Sequence, residues 1–366
     1  MKRKTNIINY CLTMGITVGL LIYTMTLCSD VYGGVMFEAV LRFAVGAIIA
    51  GVVCTFTHEL GHYFAGKKNG FAFSCMQVLC FRWEKVGKKV RFSFAMIGEQ
   101  AGYTEMIPTK DDGVEESFKK MTIGGIVASF IVMIIGIPAL FLAPYLSVWV
   151  FSIWSMLLTI GAYFFFGTAL PLLESHTLSD GAILYHLNRK TDTAKVMIAL
   201  LKIQAQLYNG RTPAEVDESL YFDLPQLPED ELNFALLLNA RYYFYLDKKD
   251  YENAKKTTER LLSLEDYLPN SILTVFKVDA LYNSCTFDFD AERADDLMYE
   301  VDKYINNVNN VNNVRTKLAY LLNVRQESDG ADKFFKKAYK EADRCQIKGL
   351  GLLETKLIDE LKEKYN

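Results

Sequence analysis

Apolar residues crowd the first half of the chain into four stretches, each long enough for a helix across a bilayer. The first, about 7–28, is uncharged and follows Lys2-Arg3-Lys4. It is long for the core of a signal peptide, and no small-x-small cleavage pattern precedes "SDVYGG", so it reads as an uncleaved anchor. The second, about 36–64, runs through "AVGAIIAGVVCTF"; Glu38 and Arg42 lie one helical turn apart on it, placed to pair and reach the interface. The third and fourth cover about 120–143 and 146–170. Gly124-Gly125 and Ala128-Ser129 give the third a small-residue face that a neighbouring helix can approach closely.

Between the second and third stretches the apolar period shortens to two. Val90, Phe92, Phe94 and Met96 alternate with Arg91, Ser93 and Ala95, while "FAFSCMQVLCFRW" lies on the far side of "EKVGKK", with Gly87 as the turn. This predicts a β-hairpin or small sheet over about 71–97 with one apolar face, resting at the membrane surface. Beyond residue 190 the pattern becomes that of charged, amphipathic helices. First helices are expected near 231, 270 and 312, and second helices near 251, 290 and 330. A period of about 40 is that of a helical-hairpin repeat whose units bury their faces on one another. A tetratricopeptide-like array closed by "GLGLLETKLIDELKEK" is expected, with an irregular helical bundle as the alternative; "NNVNNVNNV" (306–314) reads as a loop or helix start. The expected fold class is therefore mostly α. Residues 1–190 form a polytopic membrane helix bundle of about four spans with a β-hairpin, and residues 191–366 form a cytoplasmic α-helical repeat domain.

Composition sharpens this division. With 51% hydrophobic and 23% charged residues, the chain is too apolar for an ordinary soluble protein and too charged for a wholly embedded one. Up to Lys190 there are 16 Lys and Arg against 12 Asp and Glu; after it there are 24 against 31. The acidic second half argues against nucleic acid as a partner. The connections "SDVYGGV" and "APYLS" carry no Lys or Arg, whereas the N-terminus and residues 67–120 are rich in both. The positive-inside rule then puts the N-terminus, the middle segment and the C-terminal half in the cytoplasm, as in a multi-pass protein of the cell membrane. Seven cysteines (11, 28, 54, 75, 80, 285 and 345) include no Cys-x-x-Cys pair and read as small buried residues in a reducing compartment.

The chemistry gathers in "CTFTHELGHYFAGKKNG", residues 54–70. On a helix, His58 and His62 share a face and can both turn an imidazole nitrogen toward one ion, while Glu59 stands beside it. From there Glu59 can take a proton from water and pass it to a leaving amine. A catalytic zinc needs a third protein ligand. Asp180, on the Gly-flanked turn of "LPLLESHTLSDG" after Pro171, reaches the depth of His62 if the second and fourth spans pack together. Glu174 and His176 are the alternatives, and capping the helix "AILYHL" is the ordinary role for such an aspartate. His176 and His186 are expected beside the site or at an interface rather than on the ion. No P-loop, dinucleotide fingerprint or nucleophile elbow competes with this reading. An ion and water at this depth need a cavity lined by protein and open to the cytoplasm. The substrate must be extended, because helical peptide bonds are shielded, and the hairpin edge can hold it by strand addition.

This arrangement resembles the site-2 protease family of intramembrane zinc metallopeptidases. "HELGH" near the end of a span, the hairpin after it, "GGIVAS" opening the next span and "LPLLESHTLSDG" carry the resemblance, over roughly residues 36–190. It implies Zn2+ held by His58, His62 and Asp180, with Glu59 activating water for cleavage of unwound membrane segments near the cytoplasmic face. Three positions depart from the family pattern. Ile126 stands where a proline is common, Thr168 where an asparagine is common, and Ser179 replaces leucine before Asp-Gly, with a longer gap after the proline. The expected protein is a membrane-embedded zinc endopeptidase. Its expected partners are a membrane-protein or membrane-peptide substrate, the lipid bilayer, and a protein or peptide on the helical repeats. Competing readings are a non-catalytic scaffold that recruits partners, and a zinc peptidase of another class whose third ligand is a glutamate.

Overall fold

The computed structural model describes residues 2–33, 36–95, 101–173, 178–308 and 310–365. Within it the chain divides into two compact units: Met1–Lys85, Val90–Met106 and Glu115–Lys190 in one, and Val86–Lys89, Ile107–Val114 and Thr191–Asn366 in the other.

Four helical stretches of the first unit are long and apolar enough to cross a membrane. The first three extend past their apolar runs. Helix α1 is Lys2–Tyr32, α2 is Met36–Lys68, and α3 is Val114–Gly136, followed by the short α4, Pro138–Leu142. Helix α5 is Val148–Ala169 and α6 is Asp180–Arg189. Helix α3 begins six residues before the expected start because its first turns are charged. The Glu115–Lys119 and Glu116–Lys120 pairs, each four residues apart, support helix without contributing hydropathy. Pro138 lacks an N–H and ends α3's hydrogen-bond ladder; nearby, the carbonyl of Ile135 accepts from the Trp154 indole at 2.8 Å. Close packing relies on bare backbone. A Cβ on Gly46 would sit 2.8 Å from the Ser152 carbonyl, and one on Gly136 would overlap Leu158. The Tyr32 hydroxyl at the end of α1 donates to the Ala143 carbonyl just before α5, with the Leu146 carbonyl 3.0 Å away. Arg42 is buried and pairs with the exposed Glu38 at 3.4 Å, as their spacing predicts.

Of the two expectations, hairpin or small sheet, the structure has the sheet, and it is four-stranded. Its strands are β1 (Phe71–Val78), β2 (Phe81–Val86), β3 (Lys89–Phe94) and β4 (Gly102–Pro108), in the order β3-β2-β1-β4. The run "FAFSCMQVLCFRW" is two antiparallel strands, with Met76 opposite Trp83 and Val78 opposite Phe81. It folds back at Leu79, whose φ of 52° is unusual for leucine and leaves no Gly or Asn in the sequence to mark the turn. Gly87, with φ of 60°, makes the turn that its position suggested. Met96 lies outside the described residues. Phe81, Trp83, Phe92 and Phe94 form one aromatic face, and Trp83 also meets Phe56 of α2 at 5.9 Å between ring centres. Val90, Phe92 and Phe94 are 57%, 53% and 74% exposed, an outward apolar row in a chain with four spans.

The second unit is helical. Its elements are α7 (Asp192–Tyr208), α8 (Ser219–Phe222), α9 (Leu232–Asp247), α10 (Tyr251–Leu262), α11 (Asn270–Cys285), α12 (Ala291–Asn307), α13 (Val311–Ala319), α14 (Ala331–Asp343) and α15 (Lys348–Tyr365). The largest core runs from Tyr242 and Leu246 on α9 to Leu357 and Ile358 on α15. A charged network is sunk into it. Arg315 is fully buried; its Nε donates to Glu354 at 2.6 Å, its Nη2 donates to Asn312 at 2.6 Å, and its guanidinium lies 3.7 Å from the Tyr282 ring centre. Asp279, also buried, accepts from Asn312 at 2.9 Å and Tyr243 at 3.2 Å. Burial pushes the Asp279 carboxyl from 3.8 up to about 6, against the opposing pull of Arg315. The folded value is the higher one, so this group's stabilising contribution is complete below pH 3.8 and disappears as the pH rises through about 6. Arg315→Ala would strand Glu354 as a lone buried charge. It is expected to cost about 3–5 kcal/mol, read as earlier loss of helicity on denaturation, whereas Arg315→Met with Glu354→Leu recovers most of that loss.

Candidate metal centre

His58 and His62 project from successive turns of α2, with their Nε2 atoms 3.1 Å apart and their rings perpendicular. Helix α3 sets both rings from behind. The His58 Nδ1–H donates to the Gly125 carbonyl at 3.0 Å, with the Ser129 hydroxyl 2.9 Å away, and the His62 Nδ1–H donates to the Met121 carbonyl at 3.0 Å. A carbonyl only accepts, so the network assigns the proton of each neutral ring to Nδ1 and leaves both Nε2 lone pairs facing one point. The small-residue face explains how α3 comes so near. A Cβ on Gly61 or Gly124 would overlap the other helix's backbone, and one on Gly125 would overlap the His62 ring and lie 2.8 Å from His58 Cε1.

The third group arrives from the turn after α5. Asp180 Oδ2 stands 3.4 Å from His58 Nε2 and 3.3 Å from His62 Nε2. Asp180 is not the N-cap of α6. Ser179 caps it instead, accepting from the Ala182 N–H at 3.2 Å and donating to the Leu170 carbonyl at 2.9 Å. That frees the next residue's carboxylate to point into the site, and Asp180 Oδ2 is a buried oxygen with no hydrogen-bond partner. Gly181 is needed because a Cβ there would overlap the Ala169 carbonyl at the end of α5. Two residues of α1 hold the same turn. Asn9 donates to the Pro171 carbonyl, and Asn6 accepts from the Leu173 N–H, each at 2.9 Å. These asparagines were not singled out from the sequence; their one signal is a polar pair three residues apart inside an apolar run.

Glu59 is buried on the same helix, where the Thr104 hydroxyl of β4 reaches its Oε2 at 2.7 Å. A cavity of about 530 Å³ opens in front of these groups, and its lining includes Thr55, Tyr103, Phe118, Thr168 and Leu172. Thr168 faces this space although its hydroxyl donates back to the Phe164 carbonyl at 2.8 Å. His186 is buried further along α6 and outside the three-residue group, and Glu174 and His176 lie outside the described residues.

Among the described residues, His58, His62 and Asp180 are the group able to hold a metal ion. Their donor atoms are 3.1–3.4 Å apart. A tetrahedral ion with bonds of about 2.0–2.1 Å wants its donors about 3.3–3.4 Å apart. Two inward lone pairs and an unpartnered carboxylate oxygen repel one another unless a cation lies among them, so the donor set fits such an ion.

The family model described as Peptidase family M50 matches residues 46–337. The chain belongs to this family, the site-2 protease family of membrane metallopeptidases, whose members are zinc-dependent. With its four apolar helices it is a multi-pass membrane protein. Neither the curated proteins nor the solved structures contain a match to it.

Proposed function

We propose that the chain is a zinc endopeptidase that cuts membrane-associated or transmembrane proteins near the cytoplasmic face. His58, His62 and Asp180 hold the ion, and Glu59 is the general base. The observation that carries this reading is the convergence of three donor atoms beside a buried glutamate at the wall of one cavity. When bound, zinc supplies Lewis acidity, acidifying water and polarising a peptide carbonyl. Glu59 takes the proton from the attacking water and returns it to the leaving amine. The Nδ1–H bonds to α3 hold both imidazoles in the ligating tautomer.

An extended substrate suits this site. Ala101, Gly102, Tyr103 and Thr104 line the cavity, and β4 stands at the edge of its sheet, where a substrate segment can add as a further strand. The outward row of Val90, Phe92 and Phe94 is read as resting on lipid. Basic residues in the N-terminal and 67–120 segments support a cytoplasmic position for the N-terminus and the C-terminal helices. Helices α9 to α14 are read as three tetratricopeptide-like pairs that offer a surface to a protein or peptide partner, starting at residues 232, 270 and 311, and at 251, 291 and 331. The test is to compare membrane-protein fragments in cells carrying the wild type and Glu59→Gln. Fragments present only with the wild type are its products; identical fragment sets would reject peptidase activity.

A further inference from the structure

We propose that Thr104 is the positioning residue for Glu59, a role that rests on the reading of Glu59 as general base. A glutamate side chain turns about three bonds, and its carboxylate can sweep several positions unless something fixes it. The metal-binding groups do not supply that restraint, because Glu59 is outside the His58, His62 and Asp180 group. The sheet does. The Thr104 hydroxyl lies 2.7 Å from Glu59 Oε2 and 3.2 Å from the Glu59 backbone carbonyl. With a single proton to give, it donates to the nearer carboxylate oxygen.

The rest of β4 is shaped around that bond. Gly102 lies two residues earlier, on the same face of the strand. A Cβ there would sit 2.6 Å from Thr55 Cγ2 and 3.0 Å from Glu59 Oε1. Absence of that carbon lets β4 come close to α2 and deliver the hydroxyl to one carboxylate oxygen, while Oε1 remains beside Gly102. Threonine is β-branched and stiff about χ1, so the donor is itself held. Base alignment is thereby assigned to the strand that forms the cavity wall, and not to the helix that carries the base.

The test uses the full chain in detergent, with zinc content measured and fluorescein-labelled β-casein as an unfolded probe substrate. Thr104→Val keeps the side-chain shape and removes the donor. It is expected to lower kcat about 10- to 100-fold with KM and zinc content unchanged, a loss of alignment rather than of binding. Thr104→Ser, which keeps the hydroxyl, should recover most of the activity. In a Glu59→Ala background, Thr104→Val should add nothing further. Wild-type kcat in Thr104→Val, or equal losses in the Val and Ser variants, would overturn the role. Should Thr104→Val fail to accumulate, Thr104→Ala carries the same expectations. Infrared spectroscopy gives a reading that needs no substrate: the Glu59 carboxylate band, assigned by its loss in Glu59→Gln, should shift in Thr104→Val, and an unchanged band also rejects the proposal. If Glu59→Gln itself cleaves casein at the wild-type rate, the failure lies in the reading of Glu59 and not in the contact with Thr104.

Discussion

Glu59→Gln is expected to bind zinc as the wild type does and to cleave about 10²- to 10⁴-fold more slowly, the range set by loss of a general base. The substitution is nearly isosteric, and its amide oxygen can still accept from Thr104, which lies 2.7 Å from the native carboxylate. What disappears is the capacity to take a proton. Zinc should stay because Glu59 is not among the three grouped donors. Zinc per chain and casein turnover, measured on the same preparation, separate the two effects. Parallel loss of metal would make Glu59 a ligand, and undiminished turnover would leave the site without its base.

Gly125→Ala should be almost as damaging, although residue 125 touches no substrate. The added methyl would overlap the His62 ring and stand 2.8 Å from His58 Cε1. Both rings are tethered to α3 by Nδ1, at the Gly125 and Met121 carbonyls, so they cannot withdraw without breaking the bonds that set their tautomer. Loss of such supporting bonds alone typically weakens metal affinity about 10- to 100-fold, and the clash places the expectation at the upper end. Competition with a chromophoric chelator measures the change. Gly51→Ala is the matched control: Gly51 lies on α2, and a Cβ there would meet nothing within 4 Å. It should bind zinc normally, and equal weakening in both variants would mean a general effect on the membrane helices.

How much of this was readable beforehand depends on where the information is local. His58, Glu59 and His62 sit within five residues on one helix, so their spacing alone fixes their common face. Asp180 could be anticipated from chemistry, because an aspartate on a Gly-flanked turn suits a third ligand, but its freedom from capping depends on Ser179 occupying the cap. Helix-starting residues in the second unit were similarly local. Thr104 carries no such signal. It lies in a strand absent from the expected hairpin, and its partner is 45 positions away. Leu79 turns the chain without turn-forming chemistry, so two strands read as one. The early start of α3 escaped because charged pairs stabilise a helix while hiding it from hydropathy. For Thr104 the missing information was a contact between distant segments, which no periodicity encodes; for Leu79 and the start of α3 it was local but carried by residues without the usual turn or hydropathy signal.

The most direct test of the metal assignment is zinc stoichiometry, together with zinc-edge X-ray absorption, on the purified full chain, Asp180→Asn and Glu174→Gln. One zinc per wild-type chain is predicted, bound by two imidazole nitrogens and oxygen, with metal lost from Asp180→Asn and retained by Glu174→Gln. Full zinc in Asp180→Asn, with loss only in Glu174→Gln, would contradict the site built from His58, His62 and Asp180.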